Sequence, residues 1–248
     1  MMKSWSQVLL VIVVVAVVKG QFADNDFTYE CLVLSANQKY CEDWTLEPKP
    51  GSCFSEDSWA ITANGAKILV KDLVQGQKVL TLDPKTGETF ETAFLDHLHL
   101  NSQAGGEFLD IAFSEANGVQ NLEVTPDHLV YSRENGYILA GNLRVGDSMV
   151  VNGNSGARIE KISKVLKQGL YSPLTESGTL LVNSLFVTSY ATITWFDTIE
   201  WFFLPYKMMK RYGLFREFTE SRNKNGVLTY AYNIQVPKEW VWKMFGYN

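Results

Sequence analysis

The chain has 248 residues, of which 46% are hydrophobic and 20% are charged, and its formal net charge is −5. This composition fits one globular domain with appendages and argues against a disordered or fibrous protein. We expect a monomer with no nucleic-acid partner.

The N-terminal stretch has the pattern of a targeting segment. Lys3 precedes an unbroken apolar run from Val8 to Val18, and the small residue Gly20 follows. The run is shorter than the ~20 apolar residues that a membrane-spanning helix needs. We therefore predict a signal peptide over residues 1–20, with a retained signal anchor as the alternative. The chain is expected in the secretory pathway and outside the cell, either free or associated with a membrane.

The chain contains three cysteines, and in an oxidising compartment cysteines usually pair. Cys31 and Cys41 lie ten residues apart in a short acidic leader, residues 21–52, and we predict a disulfide between them. The leader has few aliphatic residues to bury, so it can fold at most as a disulfide-tied loop. Cys53 is then unpaired, which favours a reactive thiol over the alternative of a buried inert one.

Residues 53–194 have the pattern of strands and turns, and helical periodicity is weak among them. The sequence therefore predicts an all-β domain over this range. Its apolar alternation is broken by seven dipeptides typical of turns, which are Asn64-Gly65, Asp83-Pro84, Gly105-Gly106, Asn117-Gly118, Asn135-Gly136, Asn152-Gly153 and Ser177-Gly178.

One segment of this domain recurs seventy residues later. The repeated spacing, ILxxxLxxG, suggests two similar β-lobes related by duplication. The two copies are Ile68-Leu69 with Leu73, Gly76, Val79 and Leu80, and Ile138-Leu139 with Leu143, Gly146, Met149 and Val150.

The composition changes after Thr194, because residues 195–248 hold 15 of the chain's 32 aromatic side chains and are rich in basic residues. One interpretation is a helical cap packed on the β-domain. The other is a surface for sterol or membrane lipid, with Trp201, Phe202 and Phe203 in contact with the lipid. On the second view a chain ending at Thr194 folds without the tail. Helical spacing relates Trp195, Ile199, Phe203, Tyr206 and Met209, and a second helix is predicted from Lys238 through Phe245.

A cysteine stands at the boundary between leader and β-domain. Pro48, Pro50 and Gly51 form a linker that leads through Ser52 into Cys53. We interpret Cys53 as a nucleophile that attacks the carbonyl of Ser52 and converts the amide into a thioester on sulfur. Such a site also needs a group that distorts or polarises the amide and an acid for the departing nitrogen.

Thr125 and His128 can supply these two groups. In Thr125-Pro126-Asp127-His128 the proline presets φ, and the i to i+3 spacing brings the hydroxyl and the imidazole to one side. The unperturbed histidine pKa of about 6.5 suits proton delivery at neutral pH. A common turn with a solvent-facing histidine is the alternative, but the unpaired cysteine after a linker favours the catalytic interpretation.

Several blocks of residues occur in a characteristic order. They are Cys53-Phe54, Leu69-Val70-Lys71-Asp72-Leu73-x-x-Gly76, Thr125-x-x-His128, and Pro173-Leu174-Thr175-x-x-Gly178-Thr179-x-x-Val182-Asn183-Ser184 followed by Ser189-Tyr190-Ala191. Together they closely resemble the Hedgehog autoprocessing domain, also called the Hint or Hog domain. The resemblance implies a two-lobed β-disc that performs an N-to-S acyl shift, with Cys53 as nucleophile and Thr125 and His128 promoting the shift.

The resemblance also implies a sterol acceptor, with a C-terminal region that brings cholesterol to the thioester. Asp96 stands where the family has the aspartate that activates the sterol hydroxyl, and a strand-end acid facing water is the alternative. His97 and His99 share one face of a strand, but two ligands without a third are poor evidence for a metal. We therefore predict no metal site and no cofactor apart from the sterol substrate.

Three features depart from the Hedgehog pattern. Ser189 replaces the usual second cysteine, which puts a thiol contribution from that position in doubt. Only 32 residues separate Gly20 from Cys53, so we do not expect the released leader to be the signalling domain. Finally, residues 195–248 resemble the sterol-recognition region in character more than in motif. The acceptor can therefore be a sterol, another lipid or water.

Two other functions share the same fold. A secreted module that has lost turnover could use its aromatic tail to bind partners or membranes. An intein performs the same first step, but splicing needs a junction asparagine followed by a nucleophile. Asn248 is the last residue given and Tyr247 replaces the usual histidine. We therefore favour autoprocessing at Ser52–Cys53 over splicing.

Overall fold

The computed structural model describes residues 27–34, 41–48, 53–115, 118–152, 156–191 and 196–233, which belong to two units. The first unit contains an antiparallel pair of strands, β1 (Phe27–Leu34) and β2 (Cys41–Pro48). The second unit extends from Gly51 to Ala231. The predicted signal peptide and the predicted helix from Lys238 lie outside the described residues.

In the first unit the acidic leader forms a hairpin of two eight-residue strands. Cys31 lies opposite Trp44, and Cys41 lies opposite Leu34. The two cysteines are therefore on facing strands but are not a directly opposed pair. Side chains of this unit lie outside the described part of the structure, so the Cys31–Cys41 disulfide stays a prediction.

The second unit is built mainly from antiparallel strands, which confirms the predicted all-β domain. The sheet follows the order β4-β3-β12-β13-β8-β10-β11-β6-β5, with β7 paired to β6 and β9 paired to β8. The strands are β3 (Trp59–Ile61), β4 (Lys67–Leu69), β5 (Lys78–Leu82), β6 (Thr89–Glu115), β7 (Gly118–Val124), β8 (His128–Ser132), β9 (Gly136–Leu139), β10 (Ser148–Val150), β11 (Gly156–Thr175), β12 (Thr179–Val182) and β13 (Leu185–Ala191).

Two long strands, β6 and β11, span the unit and pair from Ser114↔Arg158 to Phe94↔Thr175. The register shifts near Pro173 and again near Thr175. Such bulges bend a strand and re-aim its side chains, and they often lie beside active sites. Here they lie opposite the stretch of β6 that carries Asp96, His97 and His99.

The seventy-residue repeat in the sequence is also a repeat in the structure. In each copy a short strand, β4 or β9, leads into a 3₁₀ turn, a glycine with positive φ and a second short strand, β5 or β10. Gly76 has φ of 84° and its N–H donates to Phe94 O at 2.8 Å, while Gly146 has φ of 98° and donates to Ile159 O at 2.8 Å. Other residues are strained in this left-handed conformation, which explains the glycines. The two lobes are thus pseudo-symmetric.

The C-terminal part of the second unit is helical. Helices α1 (Phe196–Tyr212) and α2 (Arg216–Thr219) lie within it, and α3 (Thr229–Asn233) begins within it. The predicted helical spacing is confirmed for Ile199, Phe203, Tyr206 and Met209, which are all buried on α1, while Trp195 lies outside the described residues. None of the described helices combines the length and the apolar character needed to cross a membrane.

A short extended segment joins this C-terminal part to β6. Val227 forms a β-bridge with His99. The Leu100 N–H donates to Gly226 O at 3.0 Å, and the Leu228 N–H donates to Leu98 O at 2.8 Å. The tail therefore extends the sheet beside the stretch of β6 that carries the histidines. These contacts argue against the expectation that residues 53–194 fold independently of the tail.

Candidate active site

Backbone hydrogen bonds hold Cys53 and the residue that follows it. The Thr125 N–H donates to Cys53 O at 3.0 Å, and the next residue, Phe54, exchanges hydrogen bonds with Tyr171 at 2.8 and 3.2 Å. The Cys53 side chain is fully buried and packs with Phe108 and Leu170. This burial raises the pKa of the Cys53 thiol well above its usual value. At neutral pH the sulfur therefore carries its proton and needs an acceptor before it can attack.

The amide of Cys53 is bound by the predicted turn. Its N–H donates to Thr125 Oγ1 at 3.0 Å. The His128 N–H donates to Thr125 O at 3.1 Å, which closes the turn as β8 begins. The His128 ring lies against Phe54, with 4.3 Å between the ring centroids. Thr125 and His128 are thus brought to the residues that start the β-domain, while Ser52 lies outside the described residues.

The protonation state of His128 differs from the expectation. Burial lowers the pKa of His128 to about 4, and a hydrogen bond to Thr188 O only partly opposes this effect. The ring is therefore neutral at pH 7, and the predicted ordinary pKa near 6.5 is wrong because the side chain is buried. Nε2 lies 2.9 Å from Thr188 O. Because a carbonyl oxygen only accepts, Nε2 carries the proton and Nδ1 carries the lone pair.

A second histidine lies beside the sulfur. His99 Nδ1 is 3.2 Å from Cys53 Sγ, and His99 Nε2 is 2.9 Å from Asn225 O. The carbonyl again places the ring proton on Nε2, so Nδ1 faces the thiol as an acceptor. Burial lowers the pKa of His99, and the hydrogen bond to Asn225 opposes the shift. Sequence reasoning considered this residue only as half of a metal pair and missed its contact with Cys53.

His97, on the same face of β6, is in a different environment. It is buried between the rings of Phe94 and Tyr171, at centroid distances of 4.9 and 6.0 Å. Neither ring nitrogen has a hydrogen-bond partner among the described residues. Burial lowers the pKa of His97 to about 4. Within the described segments no group of three or more His, Cys, Asp and Glu side chains is arranged to hold a metal.

Asp96 lies at the contact between β6 and the C-terminal helices. Its carboxylate accepts from Lys210 Nζ at 2.9 Å, from the Tyr206 hydroxyl at 2.9 Å and from the Arg222 guanidinium. The Lys210 side chain is only 6% exposed. Breaking such a buried pair is costly because it leaves a charge without compensation. Asp96 thus anchors the tail, and its predicted role in activating an acceptor hydroxyl requires one of these partners to be displaced.

The three aromatic residues predicted to contact lipid have different environments. Trp201 is 57% exposed, Phe202 is half-buried, and Phe203 is 5% exposed with its ring near those of Tyr190 and Tyr230. Phe203 therefore belongs to the core. An exposed apolar stripe does exist on α1 and the following turn, and it consists of Trp201, Leu204, Met208, Tyr212, Leu214 and Phe215.

Ser189 is also buried in this unit. Its Oγ accepts the Thr175 N–H at 3.4 Å, and its N–H donates to Gly178 O at 2.8 Å. The hydroxyl therefore contributes to the junction between β11 and β13.

A β-disc that clamps a buried cysteine next to a Thr-x-x-His turn defines the class of self-processing domains. The family model described as "Hint module" matches residues 42–242, and the chain belongs to this family. It is 31% identical to Warthog protein 6 of Caenorhabditis elegans over 167 residues, which cover 62% of this chain and 27% of that protein. It is 23% identical to Protein hedgehog of Drosophila erecta over 232 residues, covering 84% and 49%.

Solved structures with a similar fold include a bacterial intein-like domain from Clostridium thermocellum. It has 22% identity and a TM-score of 0.47, and the match covers 55% of this chain and 97% of that domain. The gp41-1 intein has 15% identity and a TM-score of 0.46, with coverage of 56% and 98%. The chain spans less than half the length of the Warthog and Hedgehog relatives described above.

Proposed function

We propose that this chain cleaves itself between Ser52 and Cys53 through a thioester on the Cys53 sulfur. The observation that carries the proposal is the 3.0 Å hydrogen bond from the Cys53 N–H to Thr125 Oγ1. This hydrogen bond holds the nitrogen of the peptide bond that is to be broken. The chain also belongs to a family of autoprocessing domains. Holding the N–H at a fixed point orients the peptide group and so favours attack on its carbonyl.

The leaving nitrogen needs a proton when the C–N bond breaks, and His128 is the proposed donor. Its ring is neutral in the resting protein because burial lowers its pKa to about 4. A tetrahedral intermediate carries negative charge, and nearby negative charge favours the protonated form of an imidazole. His128 therefore becomes an acid only after sulfur has attacked. This order avoids keeping a buried positive charge in the resting state.

The proposed acceptor of the thioester is a lipid alcohol of the sterol class, with water as the competing acceptor. The exposed apolar stripe suits a membrane surface, and Arg211 and Arg216 beside it are exposed. Basic residues near an anionic leaflet contribute about 1 kcal/mol each. Lys207 and Lys210 do not belong to this surface, because they are buried in ion pairs with Glu200 and Asp96. Asp96 is the proposed proton acceptor for the alcohol.

A second candidate is a Hint-fold module without turnover. Two observations favour it: the Cys53 thiol is fully buried with a raised pKa, and the Asp96 carboxylate is engaged by two cations. Such a protein would stay intact and use the apolar stripe for binding.

Incubation of the full chain with dithiothreitol tests the proposal, because a small thiol resolves thioesters. We expect a C-terminal product that begins at Cys53, and a leader whose intact mass includes a sterol ester when sterol vesicles replace the thiol. Cys53→Ala should stay intact under both conditions. Cleavage of this variant at the same bond would assign the cut to another protease, and an intact parent chain would support the silent module.

A further inference from the structure

The Cys53 thiol must lose its proton before sulfur can attack, and the proposed function leaves the proton acceptor unassigned. The thiol is fully buried, which excludes bulk water as an easy acceptor in this conformation. The His99 Nδ1 atom lies 3.2 Å from the sulfur. A nucleophile and a base within hydrogen-bond reach, with the base oriented by a third group, form the usual arrangement of an activated nucleophile.

We propose that His99 accepts the Cys53 proton, and that the C-terminal segment 222–228 holds His99 in the accepting tautomer through the carbonyl of Asn225. This inference rests on the proposed function and assigns its first step. A ring that donates Nε2–H to Asn225 O at 2.9 Å has its lone pair on Nδ1, where the sulfur lies. The third group is thus a backbone carbonyl of the tail.

The position of this carbonyl is set by several contacts. Asn223 Oδ1 accepts the N–H groups of Asn225 and Val227, both at 3.0 Å. The Leu100 N–H binds Gly226 O at 3.0 Å, and Arg222 donates to His97 O at 2.6 Å. The segment is therefore fixed to β6 on both sides of His99. A rigid support of this kind keeps a catalytic group within the narrow range of productive geometry.

The step balances without a co-reactant. The thiol proton passes to His99 Nδ1 as the sulfur electron pair forms a bond to the carbonyl carbon of Ser52. The negative charge of the tetrahedral intermediate draws a proton from solvent onto the neutral His128 ring. The C–N bond then breaks with its electron pair on the Cys53 nitrogen, which takes this proton from His128. His99 passes the thiol proton to solvent in exchange, so one proton leaves sulfur, one reaches nitrogen, and both rings return to the neutral state.

Charged and titratable groups around His99 define its pH behaviour. They are the Cys53 thiol, the Arg222 guanidinium, which lowers the pKa of the ring, and Asp96, which is paired with that guanidinium. Because the pKa of His99 is below 6.5, the ring stays an acceptor down to slightly acidic pH. Cleavage by the parent chain should therefore depend only weakly on pH between 7 and 9. Without the ring, the rate should rise with pH as hydroxide ionises the thiol.

The test is the rate of dithiothreitol-induced cleavage of the full chain between pH 6.5 and 9, at dithiothreitol concentrations that saturate the rate so that the acyl shift is limiting. His99→Asn places an amide near the Nδ1 position, which can bind the thiol but cannot take its proton. We expect a loss of about 100-fold at pH 7, within the usual range for a general base, shrinking toward pH 9. His99→Gln, whose amide reaches Asn225 O, should show the same profile and serves if His99→Asn does not fold. His97→Phe is the matched control on the same face and should keep the parent profile.

The inference would be overturned if a folded His99 variant cleaved within threefold of the parent rate at pH 7 and had the same pH profile. That result would leave the proposed function intact. An intact parent chain would instead remove the proposed function, and the inference would fall with it.

Discussion

The amide and the thiol of Cys53 are contacted by different regions of the molecule, which we call the amide side and the thiol side. Its amide is held by Thr125 in the turn before β8, within the β-domain itself. Its thiol faces His99, whose tautomer is set by Asn225, a residue 126 positions further along the chain. The amide side is thus built within the β-domain, whereas the thiol side requires the C-terminal segment to be in place. Under the proposed mechanism the tail therefore acts in the first chemical step as well as in binding the acceptor.

Removing the tail is the strongest test of that difference. A chain ending at Thr194 loses Lys210, Tyr206 and Arg222, so Asp96 keeps the hydrogen bond from the His97 N–H but loses both counter-charges. We expect it to be insoluble or, where soluble, to show no dithiothreitol-induced cleavage. The matched control ends at Asn233, keeps all the described tail and should cleave. A soluble chain ending at Thr194 that cleaves at the parent rate would show that both sides of Cys53 are complete without the tail.

Substitution of His128 tests the amide side alone. His128→Ala removes the proposed proton donor for the leaving nitrogen, and we expect thiol-induced cleavage to slow by 10²–10⁴-fold. The loss should be similar from pH 7 to 9, because hydroxide cannot replace an acid. Circular dichroism and thermal unfolding verify that the variant is folded. If the slowing of cleavage disappeared at pH 9, His128 would act on the thiol instead of the amide, which contradicts the assignment of His128 to the amide side.

Asp96 is expected to affect stability more than the acyl shift. Asp96→Asn leaves Lys210 buried without its counter-charge, and breaking a buried pair costs about 3–5 kcal/mol in the free energy of unfolding. Adding Lys210→Met should recover much of this loss, which urea unfolding can measure. The folded fraction should still cleave with dithiothreitol and should form no sterol ester. An Asp96→Asn chain as stable as the parent would show that the ion cluster does not anchor the tail.

The smallest expected effect on the cleavage rate comes from adding one methyl group at Gly226 in the C-terminal segment 222–228. Gly226 has φ of 82°, and a Cβ there meets the backbone of Leu100. Gly226→Ala should push Asn225 away from His99 and slow cleavage roughly tenfold at pH 7, since small displacements of catalytic groups are costly. Gly65→Ala is the matched control, because Gly65 has φ of 84° and open space around it. Equal slowing in both variants would point to general backbone strain.

The sequence predicted the features that depend on local patterns. Strand alternation and turn dipeptides indicated the all-β unit, and the spacing around Gly76 and Gly146 indicated its duplication. The turn geometry predicted only that Thr125 and His128 lie on one side, whereas their place beside Cys53, 72 positions from Thr125, came from the resemblance to the Hedgehog domain. Trp201 is exposed on α1, and its predicted contact with lipid stays a prediction.

The features that the sequence did not predict depend on long-range contacts. His99 is positioned by a backbone carbonyl, and a carbonyl has no residue-type signature. The neutral state of His128 follows from burial under strands that are distant in the chain. The role of Asp96 was predicted from its place in a motif. Its observed partners, Lys210 and Arg222, belong to the C-terminal tail, and the sequence pattern of the tail does not show where it packs on the β-domain.

The contact between His99 and Asn225 also has a consequence for when cleavage can occur during synthesis of the chain. Asn225 follows Cys53 by about 170 residues, which corresponds to roughly 10–30 s of translation at ordinary rates. A nascent chain whose β-domain has already emerged from the ribosome still lacks the carbonyl that orients the proposed base. If His99 is the base, cleavage waits until the C-terminal segment has been made and has docked on β6. The leader would stay covalently attached during that interval, so a chain terminated early by a nonsense mutation would retain its leader instead of releasing it.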